Sequence, residues 1–343
     1  MRAAIYSEHG GPEVIRIAEL PDPEPGPGEI RIRVACTSLN HLDLWLRRGT
    51  PAPVPMPHIG GADIAGVVDR VGPGVHGVRA GTRVAVDPSL DWEWYRVRPT
   101  GDGLPNPRFR VVGEHTQGGL AEYAVVPAAN LIELPGHVSM EEAAAAGLVY
   151  VTAWRALVTR GRLRPGERVL VTGGSGGVAT AGVQIAAATG ATVFAVTSGS
   201  ENVARLAALG ADVVVDREEG ALGGLIREAT GARRVDLVLD SVGEAIWTDL
   251  IKALGVGGRL VTYGATTGPR ASLDLRHVFW KQLSVIGSTT GSPGEYREVM
   301  EMVFSGRLAP VVDRVLPLER TADAHRLLEA GEIFGKLVIR VAD

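Results

Sequence analysis

The spacing of hydrophobic and polar residues changes character partway along the chain. Up to about residue 126, apolar residues alternate with polar ones, as in Ile30-Arg31-Ile32-Arg33-Val34, or form short runs that Pro and Gly interrupt. This pattern predicts strands at 30–34, 64–71, 83–86 and 120–126, and one short helix at 40–48. The segment 87–112 shows no clear periodicity, and a loop of this length inside a compact domain is usually functional.

From Ser139 onward a helical pattern appears, and strand-like and helix-like segments then alternate. Strands are predicted at 168–172, 192–196, 212–215, 235–239, 259–263 and 283–287. Helices are predicted at 178–188, 201–209, 221–230, 245–254 and 277–282. After these come helices at 296–305 and 321–330 and a strand at 337–341. Such alternation is typical of an α/β fold with a doubly wound parallel sheet.

A glycine-rich turn follows the first strand of this alternating region. The letters GSGGVA, from Gly174 through Ser175, Gly176, Gly177 and Val178 to Ala179, fit G-x-G-x-x-A between a strand and a helix. Such a turn lets the backbone approach a diphosphate, which then lies at the helix N-terminus. We therefore predict that Gly174 to Val178 bind a dinucleotide, the alternative being a purely structural turn.

Composition narrows the class of protein. The chain has 343 residues, 45% hydrophobic and 22% charged, with a net charge of −4, so it gives no reason to expect nucleic acid or an acidic membrane as partner. The single cysteine, Cys36, excludes an internal disulfide and a four-cysteine metal site. The N-terminal letters MRAAIYSEHG lack the apolar region of a signal peptide, and no apolar run reaches 18 residues. We expect a cytoplasmic protein.

Several motifs together resemble the medium-chain dehydrogenase/reductase superfamily. They are GGADIAGVVDRVGPGV, GEHTQGGLAEYAVVP, the glycine-rich turn, LGAD and GRLVTYGATTG. That superfamily includes zinc alcohol dehydrogenases and zinc-free quinone oxidoreductases. The resemblance implies a GroES-like β-rich catalytic domain at 1–149 and 290–343, a Rossmann coenzyme domain at 150–289, and a substrate cleft between them.

The cofactor is expected to be NADP rather than NAD. Dinucleotide enzymes commonly carry an acid about 20 residues after the glycine turn, where it binds the ribose 2′-hydroxyl. Here the second strand leads into Thr197-Ser198-Gly199-Ser200, with no acid before Glu201. Thr197 and Ser198 could donate to a 2′-phosphate, and Arg205 could pair with it or be a solvated surface residue. Related NADPH enzymes often carry lysine at the position of Asn202. The absence of that lysine argues against NADP.

The resemblance also places residues near the nicotinamide. They are Thr262, Tyr263, Gly264, Ser288 and Thr289. Lys336 resembles the lysine of a Gly-Lys pair that reaches towards the cofactor; a surface lysine is the alternative.

A catalytic zinc is not expected. If the chain resembles the zinc alcohol dehydrogenases closely, the resemblance implies three zinc ligands: a cysteine, a histidine, and a cysteine or acid later in the chain. Cys36 matches the first, but Ala62 replaces the histidine before Asp63, and Leu148 stands at the third position. If zinc is bound, Cys36 and Asp63 would hold it, with His58 and His115 as candidates to complete a makeshift site.

Four residues near the first helix are candidates for catalysis. Ser38 and His41 match a hydroxyl–imidazole proton relay, while Asn40 and Asp43 match an Asn-x-x-Asp that orders the cleft in quinone oxidoreductases. Alternatively Ser38 caps the helix and His41 is an exposed helical residue. Five aromatic residues could line a cleft or belong to the core: Trp92, Trp94, Tyr95, Tyr150 and Trp154.

The expected function is hydride transfer between a nicotinamide and a small carbonyl, enone or quinone (alcohol or aldehyde) substrate, with no zinc. A conjugated acceptor spreads the developing charge and so depends less on a Lewis acid. The alternatives are a zinc-dependent alcohol dehydrogenase with an altered ligand set and a non-catalytic NADPH-binding structural or sensor protein. The resemblance implies a homodimer or homotetramer that pairs through the edge strand near 283–287.

Overall fold

The computed structural model describes residues 1–50, 54–92, 96–97 and 103–342. Trp94 and Tyr95, two of the candidate cleft aromatics, lie outside the described residues. Backbone contacts divide the chain into two units: Met1–Leu148 with Ser292–Asp343, and Val149–Gly291. The predicted boundaries of 149 and 290 differ from these by one and two residues.

The N-terminal part of the first unit is mostly strand, with few helices. Its elements are β1 Arg2–Ile5, β2 Arg16–Glu19, β3 Glu29–Ser38, α1 His41–Arg48, β4 Asp63–Val71, β5 Arg83–Val86, β6 Ser89–Leu90, β7 Arg96–Val97, β8 Gly103–Leu104, β9 Arg110–Val111, β10 Tyr123–Pro127, β11 Leu131–Glu133 and α2 Met140–Trp154, whose last six residues belong to the second unit. Within the segment predicted to be a loop, β6 pairs with β9 and β7 with β8.

The second unit alternates strand and helix. Its elements after α2 are β12 Arg168–Val171, α3 Gly177–Ala188, β13 Thr192–Thr197, α4 Ser200–Ala208, β14 Val213–Asp216, α5 Leu222–Thr230, β15 Val235–Asp240, α6 Trp247–Ala253, β16 Leu254–Thr262, α7 Leu275–Lys281 and β17 Ser284–Gly287. The chain then returns to the first unit with α8 Pro293–Phe304, β18 Val312–Pro317, α9 Thr321–Ala330 and β19 Lys336–Arg340.

The second unit contains a six-stranded parallel sheet in the order β14-β13-β12-β15-β16-β17. Numbered within the sheet this is 3-2-1-4-5-6, the doubly wound order that binds dinucleotides where the strand order reverses. Val169, Leu170 and Val171 are fully buried because helices cover both faces, which is why their strand reads as an unbroken apolar run. The predicted fold class is confirmed.

The main sheet of the first unit runs β11-β5-β4-β3-β19-β18, with β10 also paired to β3. Ile30, Ile32 and Val34 of β3 are buried in its core, as the alternation predicts. Arg31 is buried as well, because its guanidinium donates to Asp69 at 2.6 Å. In this sheet β19 pairs antiparallel with β3, and Val338 stands opposite Ser38. The pairing brings β19, which is near the C-terminus, close to the start of α1.

In the described part of the chain, no helix combines the length and apolar character needed to cross a bilayer.

Candidate active site

A fully buried carboxylate, Asp63 at the start of β4, is the centre of a polar cluster in the first unit. Its Oδ2 accepts from the Ser38 hydroxyl at 2.7 Å, from the Asn40 amide at 2.8 Å and from the Lys336 ammonium at 3.3 Å. Its Oδ1 accepts from the Leu148 amide at 2.5 Å. Four donors therefore engage the two oxygens, and this satisfies a charge that would otherwise be costly to bury.

A kink in α2 supplies the last of these donors. Gly147 has non-helical dihedrals of φ −13° and ψ −107°, which distort the turn in which the Leu148 N–H would face the Ala144 carbonyl. The Leu148 N–H points at Asp63 instead, and the Ala144 carbonyl oxygen lies 2.9 Å from the Ser38 hydroxyl oxygen. A β-carbon on Gly147 would clash with the Asp63 carboxylate, so glycine is required there.

A second buried carboxylate fixes the start of α1. Asp43 accepts from the Asn40 backbone N–H and from the Gly61 N–H, each at 2.8 Å. Burial raises the pKa of Asp43 to about 6, while these hydrogen bonds and the charge of Lys336 act in the opposite direction. Asp43 thereby ties the first turn of α1 to the loop before β4, an ordering role like that expected of an Asn-x-x-Asp motif.

Lys336 is directed into the first unit. Its ammonium donates to the Leu39 carbonyl and to Oδ1 of Asn40, each at 2.6 Å, as well as to Asp63. Lys336 is only 3% exposed, so it is not a surface lysine. Its predicted reach towards the cofactor stays a prediction.

Ser38 and His41 lie in different environments. Ser38 is fully buried, with its single hydroxyl proton shared between Asp63 and the Ala144 carbonyl. Asn40, rather than Ser38, occupies the N-cap of α1, so the capping alternative for Ser38 is wrong. His41 is exposed as the first residue of α1. Partial desolvation, with the positive charges of Lys336 and Arg48 nearby, lowers the pKa of His41.

Cys36 lies on β3, two residues before Ser38. It stands opposite Ala65 and Arg340 in the register of β3, and burial, with the nearby Glu141 charge, raises the pKa of its thiol to about 12. His58 Nε2 bonds to the Gly113 carbonyl. Among residues 1–50, 54–92 and 103–342, no three His, Cys, Asp or Glu side chains come together as metal ligands. These residues do not fit the three-ligand site of a catalytic zinc.

In the second unit, the glycine-rich turn connects β12 to α3. Gly176 is the N-cap of α3, so the first amides of the helix are available to an anion. The Gly174 N–H donates to the Val196 carbonyl at 2.8 Å, and a β-carbon on Gly174 would lie equally close to that oxygen. Gly174 therefore has a packing role, whereas Ser175, Gly177 and Val178 surround the helix start and are partly exposed.

Two residues that sequence reasoning missed, Asp216 and Arg217, lie beside the loop that follows β13. Arg217, which follows β14, donates from Nε to the Ser198 hydroxyl, and Asp216 accepts from the Gly199 N–H at 3.1 Å. Both approach this loop because β14 pairs with β13, placing Asp216 opposite Thr197. The Thr197 hydroxyl is buried with no hydrogen-bond partner among the described residues. Arg205 lies 3.9 Å from Glu201 along α4.

The strand ends predicted to lie near the nicotinamide come together in the second unit. The Ser288 N–H donates to the Thr262 carbonyl at 2.9 Å, and the Thr262 hydroxyl donates to the Gly264 carbonyl at 3.1 Å. Tyr263 and Thr289, which follow Thr262 and Ser288 in the sequence, are partly buried. A buried carboxylate that the sequence did not single out, Asp240, accepts from the Thr172 hydroxyl at 2.6 Å and from the amides of Val242 and Gly243.

Comparison with known proteins identifies the class. The alcohol dehydrogenase GroES-like domain matches residues 26–136, and the zinc-binding dehydrogenase domain matches residues 177–305. The chain is 32% identical to a crotonyl-CoA reductase of Streptomyces collinus, over 93% of this chain and 80% of the relative. It is 30% identical to a quinone oxidoreductase of Rattus norvegicus, over 99% of this chain and 97% of the relative.

A crystal structure of an NAD-dependent alcohol dehydrogenase matches with a TM-score of 0.94 at 43% identity, covering 100% of both chains. The two units and these likenesses define an NAD(P)-dependent oxidoreductase built from a GroES-like and a Rossmann-type domain. The chain belongs to the medium-chain dehydrogenase/reductase superfamily, which confirms the family that the motifs indicate.

Proposed function

We propose that this oxidoreductase reduces a small conjugated acceptor, an enone, an unsaturated acyl thioester or a quinone, without a catalytic zinc. The proposal rests on one observation: four hydrogen-bond donors already contact the two oxygens of Asp63, the acid that would otherwise be available to bind zinc. Ala62 and Leu148 stand where the resemblance implies further zinc ligands, and neither side chain can coordinate a metal.

The reaction class follows from the charge that develops on the substrate. Reduction of an isolated ketone concentrates charge on one oxygen and calls for a Lewis acid or strong donor, whereas a conjugated acceptor delocalises it. The nicotinamide supplies the hydride when bound. The names of the crotonyl-CoA reductase and quinone oxidoreductase relatives support acceptors of this kind.

Within the first unit, His41 is the candidate group for proton transfer because it is an exposed histidine at the start of α1. Ser38, Asn40 and Asp43 hold the backbone from which it projects, through their bonds to Asp63 and Gly61. We propose that these three residues order the site.

Elemental analysis of purified enzyme, together with turnover on a panel of enones, quinones and simple ketones, tests this proposal. We expect far less than one zinc per chain, and activity towards conjugated acceptors that survives dialysis against a chelator. One tightly held zinc per chain, lost together with activity, would favour the altered-ligand alcohol dehydrogenase. Cofactor binding without turnover on any acceptor would favour a non-catalytic protein.

For the cofactor, we propose NADP(H). No acid ends β13, and Arg217 lies against the Ser198 hydroxyl at the place where a dinucleotide fold receives the 2′-substituent. The Asp216 carboxylate also lies at this loop, and two backbone amides, of Gly199 and Glu218, donate to its Oδ1. Arg217 is therefore the residue proposed to pair with the 2′-phosphate, in place of Arg205, the candidate from the sequence alone.

Calorimetric titration with adenosine 2′,5′-bisphosphate and with 5′-AMP tests this preference without turnover. We expect Arg217→Gln to weaken binding of the bisphosphate by about tenfold, as loss of one charge-assisted contact implies, and to leave 5′-AMP binding unchanged. Arg205→Gln is the matched control and should resemble the wild type. A wild-type protein that binds both ligands equally would argue for NAD(H).

We also propose a homodimer through the second unit. Strand β17 is at the edge of its sheet, paired on one side with β16. Next to it α7 exposes Leu275 (68%), Phe279 (65%) and Trp280 (82%). An open strand edge beside a large apolar patch is suited to pairing with a second copy across a two-fold axis.

A further inference from the structure

Three oxygen atoms of different chemical types surround Nζ of Lys336. They are the Leu39 main-chain carbonyl and the Asn40 amide oxygen, each at 2.6 Å, and Oδ2 of Asp63 at 3.3 Å. Carbonyl, amide and carboxylate oxygens are the ligand types that hard cations take in proteins. An ammonium has three N–H donors and no acceptor, so each donor has one oxygen here.

Charge explains why a cation is needed at this point. Asp63 and Asp43 are both buried, and both act on Lys336 in the direction that favours its charged form. Burial is the larger effect and lowers the pKa of Lys336 overall, and the charges of Asp63 and Asp43 and the hydrogen bond to Asp63 oppose it. A buried carboxylate with no compensating charge is strongly destabilising, and among the described residues Lys336 is the cation in direct contact with Asp63.

The backbone holds Lys336 in place from outside the cluster. Val338 stands opposite Ser38 in the pairing of β19 with β3, and the Leu39 N–H donates to the Leu337 carbonyl at 3.0 Å, which brings Lys336 to the level of Asn40. The Lys336 N–H donates to the Val311 carbonyl at 2.9 Å. Gly335, at φ +95°, lies so close to that carbonyl that a β-carbon would clash with it. The start of β19 is therefore held in place, and this fixes the position from which the Lys336 side chain reaches the cluster.

We propose that Lys336 is a tethered cation: its ammonium occupies the cation position of the Asp63 cluster and fixes the Asn40 amide and the Asp63 carboxylate. Lys336 is thus a positioning residue that makes the geometry around α1 independent of a bound metal. This inference rests on the proposed zinc-free function. In it, the Lys336 ammonium supplies the positive charge that a metal ion would otherwise bring to the site.

Chemical rescue tests the inference directly. Lys336→Ala removes Cγ, Cδ, Cε and Nζ, the four heavy atoms of n-propylammonium. We expect the variant to melt roughly 10 °C lower than the wild type, as for other buried ion pairs that lose one partner. We expect n-propylammonium to restore at least half of that loss, and 1-propanol, its uncharged isostere, to restore none. Lys252→Ala, at an exposed lysine, is the matched control.

Turnover separates positioning from general stability. In Lys336→Ala we expect kcat to fall at least tenfold and to recover with n-propylammonium, while the Kd for NADPH measured by fluorescence stays unchanged. A weakened Kd would instead mean that Lys336 binds the cofactor, and would overturn the inference.

A second variant covers the case in which Lys336→Ala does not fold. The double variant Lys336→Met with Asp63→Asn removes both charges, and we expect it to be more stable than Lys336→Met alone. Equal rescue by the alcohol, or a double variant no more stable than the single one, would overturn the inference. Melting temperatures require no turnover, so this result is independent of whether the wild type contains zinc or reduces the acceptors proposed above.

Discussion

Oδ1 of Asp63 occupies the space that a β-carbon on Gly147 would need, so the kink in α2 and the carboxylate at the start of β4 depend on each other. The same kink directs the Leu148 N–H onto that oxygen. A single glycine thereby joins a helix to the polar cluster.

We expect Gly147→Ala to lower the free energy of unfolding of the protein by about 1–3 kcal/mol, the usual penalty for overpacking a rigid site. Asp63 has little freedom to move because four donors hold it. Urea unfolding measures the change, and turnover should fall with it. Gly136→Ala is the control, since a β-carbon there meets no atom within 4 Å. Equal stability of the two variants would contradict this account of the kink.

At the glycine-rich turn, Gly176→Val should leave the fold intact but weaken NADPH binding by about tenfold or more. A β-carbon on Gly176 would contact the Gly173 carbonyl oxygen at 3.2 Å. Gly176 is the N-cap of α3, so branched methyl groups there would crowd an anion bound at this helix start. Melting temperature and fluorescence titration separate stability from binding.

The neighbouring position should behave differently. A β-carbon on Gly174 would lie 2.6 Å from the Leu206 side chain and 2.8 Å from the Val196 carbonyl. Gly174→Ala should therefore lower the melting temperature. If Gly176→Val binds NADPH like the wild type, the diphosphate does not lie at this helix.

Stability at acid pH should depend on His325. Burial, with the Arg47 charge nearby, lowers the pKa of His325 to about 3, and an Arg47 guanidinium nitrogen lies 3.3 Å from its Nδ1. The unfolded chain, with a histidine pKa of about 6.5, binds more protons than the folded chain between pH 6.5 and 3. This contribution to stability is therefore complete above pH 6.5 and is lost as the pH falls, by at most about 1.4 kcal/mol per unit.

His325→Gln keeps an oxygen that can accept from Arg47 but removes the titration. We expect the stability advantage of the wild type over this variant to shrink steadily from pH 7 to pH 4 in urea unfolding. Parallel pH profiles for the two proteins would show that His325 is not responsible.

The proposed dimer predicts that Trp280→Arg lowers the mass in solution to that of one chain, because a charge in the centre of an apolar interface is unpaired. Light scattering after size-exclusion chromatography measures the mass. Trp45→Arg, at a tryptophan of the first unit that is 39% exposed, should leave the mass of the wild type unchanged. A wild-type protein that is already monomeric would remove the basis for this surface.

Much of the secondary structure could be predicted from the sequence. Helix α9 has the predicted bounds of 321 and 330, and β5 those of 83 and 86. Strand β12 and the start of α3 lie within one residue of prediction. Strand β18 was missed: Arg314 and Val315 are exposed in it, so it has no buried apolar alternation to signal it.

The sequence by itself determined the alternation of strand and helix, the glycine-rich turn and the family, since each depends on residues within a few positions of one another. Only the tertiary structure decided what surrounds Asp63. Its side-chain partners Ser38, Asn40 and Lys336 are 25, 23 and 273 residues away along the chain, and the Leu148 amide is 85 away. The register of β3 with β4 and β19, together with the kink at Gly147, brings them into contact, and no local pattern encodes a pairing between such distant strands.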